Sequence, residues 1–246
     1  MAIGIFRIAG VRLPHPPIPL HLLLIVEQAL AEAWKRLKRN PPAGFNIATA
    51  TEDVITFYLH QVLVNDIYRR RQVPGFSRET FNRPEREPKV CSFNLSSIDK
   101  MPDLRVDLVD RPNVTLLTDD GIFIECKPID AAHSVPAHYC RRGIRRFVSG
   151  EYGWAMSEGM MVAYVAPSHR GPRAAPLASL TAALTTSQQT TPDEFATTQL
   201  PSACPLATAR HASIVAWTTR HRRQFNYVQT GGSAPELLLR HLWLIR

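Results

Sequence analysis

Two amphipathic stretches begin the pattern of apolar and polar positions along this 246-residue chain. Over residues 20–39 apolar side chains recur every three or four positions, which predicts a helix, and Asn40-Pro41-Pro42 ends it. A second helix is predicted at about 50–71, with Thr51 as its N-cap and two acidic residues in its first turn. The mostly buried face of this second helix is predicted to contain Val54, Phe57, Tyr58, Gln61, Val62 and Asn65.

After a polar, proline-bearing loop the apolar period changes to two, which is typical of half-buried strands. Short strands are predicted at 89–95, 103–109 and 121–127, and together they indicate an antiparallel meander. A helix is predicted at 136–150. The continuous apolar run at 160–165 then predicts a buried strand.

The last third of the chain has a less regular pattern. Residues 167–205 are rich in Pro, Ala, Ser and Thr, which favours a loop or insertion with one helix at 174–186. Two final strands are predicted at 212–218 and 237–245. The order helix, three strands, helix, strand predicts an α/β protein whose mixed central sheet is flanked by helices. The expected parts of a single domain are an arm and helix at 1–47, a core at about 48–166, the loop at 167–205 and a C-terminal extension with two strands at 206–246.

Composition narrows the classes of function. Apolar residues make up 45% of the chain and charged residues 20%, which excludes wholesale disorder. The 29 Lys and Arg residues exceed the 21 Asp and Glu residues, and the pI is near 9.7. Residues 141–246 contain 12 of the basic residues and only 5 of the acidic ones. This balance favours an anionic partner, with nucleic acid as the first candidate.

The cysteines argue against a zinc ribbon or a dense disulfide framework, because they stand far apart with no CxxC pair. His133, His138 and Cys140 have the chemistry of metal ligands, but no second pair at matching spacing completes a zinc site. No segment reaches the roughly 18–20 apolar residues of a membrane span, and prolines near the N-terminus argue against a signal peptide. We therefore expect a reducing, cytoplasmic location and no membrane partner. The four cysteines are Cys91, Cys126, Cys140 and Cys204.

Charged side chains alternate with apolar ones on two of the predicted strands. Alternation places Asp103 and Asp107 on one face of the first strand, and Glu125 and Lys127 on one face of the next. Across a hairpin, Asp103 or Asp107 can lie close to Glu125. Two converging carboxylates form a hard oxygen site suited to Mg²⁺ or Mn²⁺, and Lys127 points into the same space. The alternative is a set of solvated charges on an exposed hairpin face.

This arrangement resembles the PD-(D/E)xK nuclease superfamily, whose members have the restriction-endonuclease-like fold. The motif here is Pro102-Asp103, a gap of 21 residues, and Glu125-Cys126-Lys127, and the resemblance covers the predicted core. It implies an αβββαβ core and metal-dependent hydrolysis of phosphodiester bonds. It also implies that Asp103, Glu125 and the Cys126 carbonyl bind Mg²⁺ or Mn²⁺. Lys127 would then serve the attacking water, and Glu52 would be an additional acidic residue of the catalytic site. Because a proline precedes it, Asp103 is favoured over the second aspartate of its strand.

The helix predicted at 136–150 is basic. Arg142 and Arg146 are four positions apart and share a predicted face, as do Arg141 and Arg145. Either pair could contact the phosphates of a nucleic-acid backbone, and a solvated helix face is the alternative. A glycine within this helix indicates close packing or approach to a ligand.

Three functions compete on this sequence. The leading hypothesis is a metal-dependent nuclease acting on DNA in restriction, defence or repair, with a homodimer or a defence-system protein as a further partner. The second is a non-catalytic nucleic-acid-binding or assembly module with a nuclease-like fold, using the basic helix and a second basic cluster at 220–223. The third is a cysteine hydrolase that pairs Cys140 with His211 or His221, for which no local signature is present.

Overall fold

Seven strands of the chain form one mixed sheet. The computed structural model describes residues 10–166, 175–203 and 214–246. The strands are β1 (Glu85–Arg86), β2 (Leu104–Val106), β3 (Ile122–Ile129), β4 (Glu158–Val165), β5 (Thr197–Ala203), β6 (Ile214–His221) and β7 (Leu237–Ile245). The helices are α1 (Leu20–Arg39), α2 (Glu52–Val62), α3 (Arg145–Val148), α4 (Ala175–Thr190) and α5 (Pro192–Phe195). Within the described residues, no helix combines the length and the apolar character that crossing a membrane requires.

The strand order in the sheet is β1-β2-β3-β4-β7-β6-β5. The pairs β1–β2 and β2–β3 are antiparallel, β3–β4 and β4–β7 are parallel, and β7–β6 and β6–β5 are antiparallel again. A π-helical segment, Val135–Ile144, continues into α3 and makes the crossover from β3 to β4. Another π-helical turn, Leu63–Tyr68, extends α2. The prediction of an α/β protein with a mixed, helix-flanked sheet is therefore confirmed.

Two predicted elements differ from the observed ones. The strand predicted at 89–95 is not formed, because Ser92 and Asn94 accept hydrogen bonds from backbone amides at 96–97 and close a turn. The short β1 takes its place in the antiparallel meander. In the segment 167–205, α4 confirms the predicted helix, whereas the strand β5 forms where a loop was predicted; residues 167–174 and 204–213 lie outside the described residues. Threonines favour extended backbone, and in this segment they compete with the loop-forming prolines.

The C-terminal strand β7 lies in the interior of the sheet, between β4 and β6. It pairs with β4 from Glu158↔Leu238 to Val165↔Ile245, and with β6 on its other edge. Successive β7 residues point to opposite faces. Arg240 forms a buried bidentate ion pair with Glu27 of α1 at 2.6 and 2.9 Å. The following His241 contacts the π-helical crossover, so α1 and the crossover form helix layers on opposite faces of the sheet.

The buried face of α2 is not the predicted one. Val54 is 41% exposed and Phe57 is 40% exposed, and Thr51 makes no capping hydrogen bond. The apolar residues of this helix lie on two adjacent sides, and packing on the sheet selects the side that carries Thr56, whose hydroxyl is 3.0 Å from the hydroxyl of Tyr164 in β4. The buried residues of α2 are Ile55, Thr56 and Leu59.

A buried hydrogen-bond chain ties the sheet to the crossover. His221 Nδ1 is 2.8 Å from the carbonyl oxygen of Phe195, so this nitrogen carries the hydrogen. His221 Nε2 is therefore the acceptor, and the hydroxyl of Thr219 donates to it at 2.7 Å. Thr219 in turn accepts from Nε2 of His241 at 2.8 Å.

The same reasoning fixes the other end of the chain. Since His241 carries its hydrogen on Nε2, its Nδ1 accepts from the Tyr139 hydroxyl at 2.8 Å. Tyr139 then accepts from the indole N–H of Trp243 at 3.1 Å. In this chain each N–H or O–H donates to one acceptor only if both imidazoles are neutral, because a protonated imidazole has no nitrogen left to accept a hydrogen bond. Burial accordingly lowers the pKa of His221 to about 4 and the pKa of His241 to about 3.

We predict that these two histidines destabilise the fold in acid. The unfolded chain binds a proton on each imidazole below its ordinary pKa, near 6.5, whereas the folded chain does not until about pH 3–4. The free energy of unfolding should therefore fall between pH 6.5 and 4, by up to about 3 kcal/mol per pH unit for the pair. Urea unfolding at several pH values measures the slope.

The control for this experiment is a histidine outside the hydrogen-bond chain. His241→Gln should flatten the slope, while His21→Gln, a change at an exposed position, should retain the wild-type slope. An unchanged slope in His241→Gln would contradict the assignment of a neutral, buried imidazole.

Candidate active site

The pairing of β2 with β3 decides which aspartate faces Glu125. Arg105 lies opposite Phe123, and this antiparallel register, continued by two residues, sets Asp103 opposite Glu125. Asp107 lies at the other end of the pair, where its carboxylate binds Arg105 at 2.5 and 2.6 Å. The structure thus brings Asp103 to Glu125 and leaves Asp107 in a local ion pair.

Three carboxylates converge on the ammonium group of Lys127. Its Nζ lies 2.7 Å from Glu52 Oε1, 2.9 Å from Glu125 Oε1 and 3.6 Å from Asp103 Oδ2. The same Nζ donates to the carbonyl oxygen of Cys126 at 2.6 Å. The four acidic and basic residues that the sequence assigns to the catalytic site are therefore gathered around one atom.

Glu125 is the most enclosed member of this cluster, with no exposed surface. Its Oε1 also accepts from Arg146 at 3.1 Å, and its Oε2 accepts from the hydroxyl of Tyr152. Burial, with the nearby charge of Asp103, raises the pKa of Glu125 to about 7. These donors and Lys127 stabilise the ionised form of Glu125. Without them, a charged carboxylate would be too costly at a fully buried position.

The protonation of Lys127 follows from its surroundings. Burial alone would lower the pKa of the amine, but Glu125, Asp103 and Glu52 outweigh it and raise that pKa. Lys127 is therefore a cation and a hydrogen-bond donor at neutral pH, not a base. Burial also raises the pKa of Glu52, although this carboxylate is the most solvent-accessible of the three.

The cluster is assembled from both helix layers. Glu52 opens α2, on the same face of the sheet as α1, whereas Arg146 belongs to α3 on the opposite face. Gly143 lets the crossover pack closely: a side chain there would collide with Met161, and its Cβ would lie 3.5 Å from Lys127 Cγ. The glycine of the basic helix is thus explained by close packing of the crossover against Met161 of β4.

The donors have the chemistry of a magnesium or manganese site, but their present arrangement is built around an ammonium group. Carboxylate and carbonyl oxygens are the ligands that these ions prefer, and three carboxylates with the Cys126 carbonyl surround a single cationic atom. Among the described residues, no group of three or more His, Cys, Asp or Glu side chains is positioned to hold a metal ion as it stands. A divalent ion would need Lys127 Nζ to move aside.

Comparison of the chain with protein-family models, with curated proteins and with solved structures finds no match.

The four arginines of the basic helix have different environments. Arg146 contacts Glu125 and its side chain is 38% exposed, while Arg141 forms an ion pair with Glu194 at 2.7 Å. Arg142 and Arg145 are exposed, and no carboxylate of the described residues pairs with them. The predicted pairing of faces assumed regular α-helical spacing, whereas residues 135–144 are π-helical and turn the side chains differently.

The second basic cluster is largely structural. Arg223 is buried and donates to the carbonyl oxygens of Gly153, Trp154 and Met156 at 2.6–3.2 Å. Burial lowers its pKa to about 10. Arg220 forms an ion pair at 3.1 Å with a glutamate at the start of β7. Of this cluster, only Arg222 is exposed and without an ion pair to the described residues.

The cysteine alternatives gain no support. Burial raises the pKa of the Cys140 thiol far above its ordinary value, so it is a poor nucleophile. His221 is fully buried in the hydrogen-bond chain, and His211 lies outside the described residues. His133 binds Asp130 at 2.7 Å and completes no zinc site with its neighbours among the described residues.

Tyr152 is the residue of the site that sequence reasoning missed. It lies in a segment without apolar periodicity, so no pattern assigns it a direction. The available signal is the pair of glycines that flank it, Gly150 and Gly153, which take φ values of 71° and 59°. These left-handed turns reverse the chain on both sides and point the phenol inward.

We predict that Tyr152→Phe destabilises the protein by about 1.5–3 kcal/mol at pH 8, because it removes a donor from a buried carboxylate that is charged at that pH. Chemical unfolding measures the loss. The matched control is Tyr164→Phe, which removes an equally buried hydroxyl bonded to the neutral Thr56 and should cost about 1 kcal/mol. Equal losses in the two variants would show that the Glu125 contact has no special weight.

Proposed function

We propose that this chain is a metal-dependent nuclease that hydrolyses phosphodiester bonds of DNA. The observation that carries the proposal is the convergence of Glu52, Asp103 and Glu125, from three separate segments, on one buried lysine. Three carboxylates this close together in a poorly solvated site need cations to offset their charge. A structural ion pair with Lys127 would need only one carboxylate. Exposed arginines nearby supply charge for a polyanionic substrate.

The proposal includes the restriction-endonuclease-like fold. Its support is the order of elements: α2, the antiparallel β1, β2 and β3, a helical crossover, and β4 parallel to β3. A further support is that the β2–β3 register sets Asp103 opposite Glu125, just beyond the residues that the two strands pair.

In the proposed reaction, Asp103, Glu125 and the Cys126 carbonyl hold Mg²⁺ or Mn²⁺. When bound, such an ion supplies Lewis-acid polarisation of a phosphoryl oxygen and lowers the pKa of water. A water oxygen forms a bond to phosphorus as the bond from phosphorus to the leaving ester oxygen breaks. Lys127, which stays protonated, orients the water and offsets negative charge on the phosphorane. Glu52, the most accessible carboxylate, accepts the water proton.

The second candidate is a non-catalytic nucleic-acid-binding or assembly module with the same fold. One observation favours it: Lys127 Nζ stands among the carboxylates, and the described residues contain no ready-made metal cluster. In that case the lysine neutralises the carboxylates permanently, and binding would depend on the exposed arginines alone.

We propose a cytoplasmic setting in restriction, defence or repair, with a homodimer or a defence-system protein as partner.

We predict that Asp103→Asn abolishes metal-dependent cleavage and that Asp107→Asn leaves it unchanged. Both variants remove one carboxylate from the same strand region, but only Asp103 reaches Lys127 and the Cys126 amide. Cleavage of plasmid, linear and single-stranded DNA is measured with Mg²⁺, with Mn²⁺ and with EDTA. The loss should be at least about a hundredfold, since a metal ligand and its charge are removed.

Three results would decide against a metal-dependent nuclease site at Asp103 and Glu125. Cleavage that persists in EDTA, or that Asp103→Asn retains, would exclude this site as the catalytic one. Absence of cleavage by the wild type in all three conditions, with salt-sensitive DNA binding retained in both variants, would favour the binding module.

We also predict that Lys127→Met binds Mn²⁺ at least about tenfold more tightly than the wild type while losing cleavage. The ammonium now competes for the oxygens of Glu52 and Glu125, and a methionine of similar length removes its charge without removing them. Calorimetric titration of the folded proteins measures the affinity. The unfolding temperature should rise more with Mn²⁺ in the variant than in the wild type. An unchanged affinity would mean that the carboxylates do not form the metal site.

A further inference from the structure

A cavity of about 580 Å³ is lined in part by α3, the helix that also carries Arg146 to Glu125. Part of its wall is α3 and the residue after it: Arg145 and Ser149 line the cavity, whereas Arg146 and Tyr152 bind Glu125. The cavity and the candidate active site thus share one short stretch of chain.

The opposite wall is also connected to the active site. Phe93 lines the cavity, and its amide donates to the carbonyl oxygen of Gly150 at 3.0 Å. Lys100, further along the same loop, forms an ion pair with Glu151 at 3.0 Å. This loop leads directly to Asp103. The segments that line the cavity therefore continue into those that supply the carboxylates.

The lining combines an apolar floor with polar edges. Phe93 and Phe225 stack with ring centroids 4.2 Å apart and planes at 24°, and Val148 lies beside them. Gln224 is exposed and donates from its amide to Asp193 at the rim. Aromatic rings bounded by an amide and a carboxylate suit a flat, apolar molecule with hydrogen-bonding groups at its edges. A nucleobase has these properties.

The charges at the cavity favour a nucleotide over a neutral aromatic compound. Arg145 is exposed, and no carboxylate of the described residues pairs with it. Of the two acidic residues in the lining, Glu194 is neutralised by Arg141 at 2.7 Å, while Asp193 accepts the amide of Gln224 and keeps its negative charge. The free guanidinium is left to bind a phosphate next to the base. The volume lies in the range of small-ligand sites, roughly 300–1,000 Å³.

We propose that this cavity binds one unpaired nucleobase of the substrate strand, with Arg145 on its phosphate, next to the phosphodiester that the active site hydrolyses. The inference rests on the proposed function and specifies its substrate class. A base can enter only if it leaves the double helix, which costs a few kcal/mol in a duplex and much less in a single strand. Single-stranded or locally unpaired nucleic acid is therefore the preferred substrate.

The experiment uses single-stranded oligodeoxynucleotides with 2-aminopurine at successive positions, bound to the full chain with Ca²⁺ in place of Mg²⁺. We expect the fluorescence to change at least about twofold at one position and little at the others. Phe225→Leu, which keeps an apolar side chain but removes the ring, should abolish that change and weaken binding about tenfold. Arg145→Gln should also weaken binding at low salt.

The matched control is Arg39→Gln, which removes an exposed arginine at the end of α1, outside the cavity and the basic helix. It should leave the position-specific fluorescence change intact. Unfolding temperatures of all variants establish that they are folded. Fluorescence changes of equal size at every position, no binding of single strands, or wild-type affinity in both Phe225→Leu and Arg145→Gln would overturn the proposal.

Cleavage by the wild type in Mg²⁺ separates this inference from the proposed function. Cleavage without a position-specific signal would refute the base-binding cavity and leave the nuclease. A position-specific signal without cleavage in any metal would support the cavity as a site on a non-catalytic binding module.

Discussion

Beyond the point where β2 ends, the backbone N–H and C=O groups on the open edge of β3 need other hydrogen-bond partners. Side chains of the candidate site provide them. β2 pairs only with residues 122–124, while β4 covers the other edge of β3 as far as Ile129. Cys126 is buried on the open edge, where its N–H and C=O would cost free energy if left unpaired. The carboxylate of Asp103 accepts that N–H at 2.6 Å, and the ammonium of Lys127 donates to that C=O at 2.6 Å. Two charged side chains replace a missing strand, which fixes both of them against the backbone.

This replacement has an electrostatic consequence. Three carboxylates face two cations, Lys127 and Arg146, so the fully ionised cluster carries one uncompensated negative charge. In a poorly solvated site that excess is relieved either by a proton or by another cation. The raised pKa of Glu125, about 7, is the first of these outcomes. A divalent ion would be the second, and it would add the charge without the proton. The charges of the cluster therefore suit exchange between a protonated state and a cation-bound state better than a permanent ion pair.

The sequence predicts the parts of this cluster that depend on period and register. Glu125 and Lys127 share a face because they are two residues apart on a strand, and the turn before β3 sets the antiparallel partner opposite them. Features that depend on packing could not be predicted in this way. Tyr152 comes from a segment without a period, and its contact with Glu125 exists only after the chain has folded. Val54 and Phe57 are apolar yet exposed, because α2 has two apolar sides and the sheet covers only one. Periodicity identifies an apolar face, but it does not say which of two faces finds a partner.

Net charge is a weaker guide to the substrate than the positions of individual arginines. Much of the positive excess of residues 141–246 is used inside the protein: Arg223 binds three carbonyl oxygens, and Arg240 is buried against Glu27. Such side chains cannot bind phosphate without unfolding their surroundings. The arginines that remain available include Arg142 and Arg145, close in sequence to the one that touches Glu125. A polyanion would therefore be attracted to the neighbourhood of the carboxylates, where a bound cation is needed to offset the repulsion between them and a phosphate. In the proposed nuclease, this requirement would couple the binding of a polyanion to the binding of a metal ion, and the net charge of the chain does not reveal that coupling.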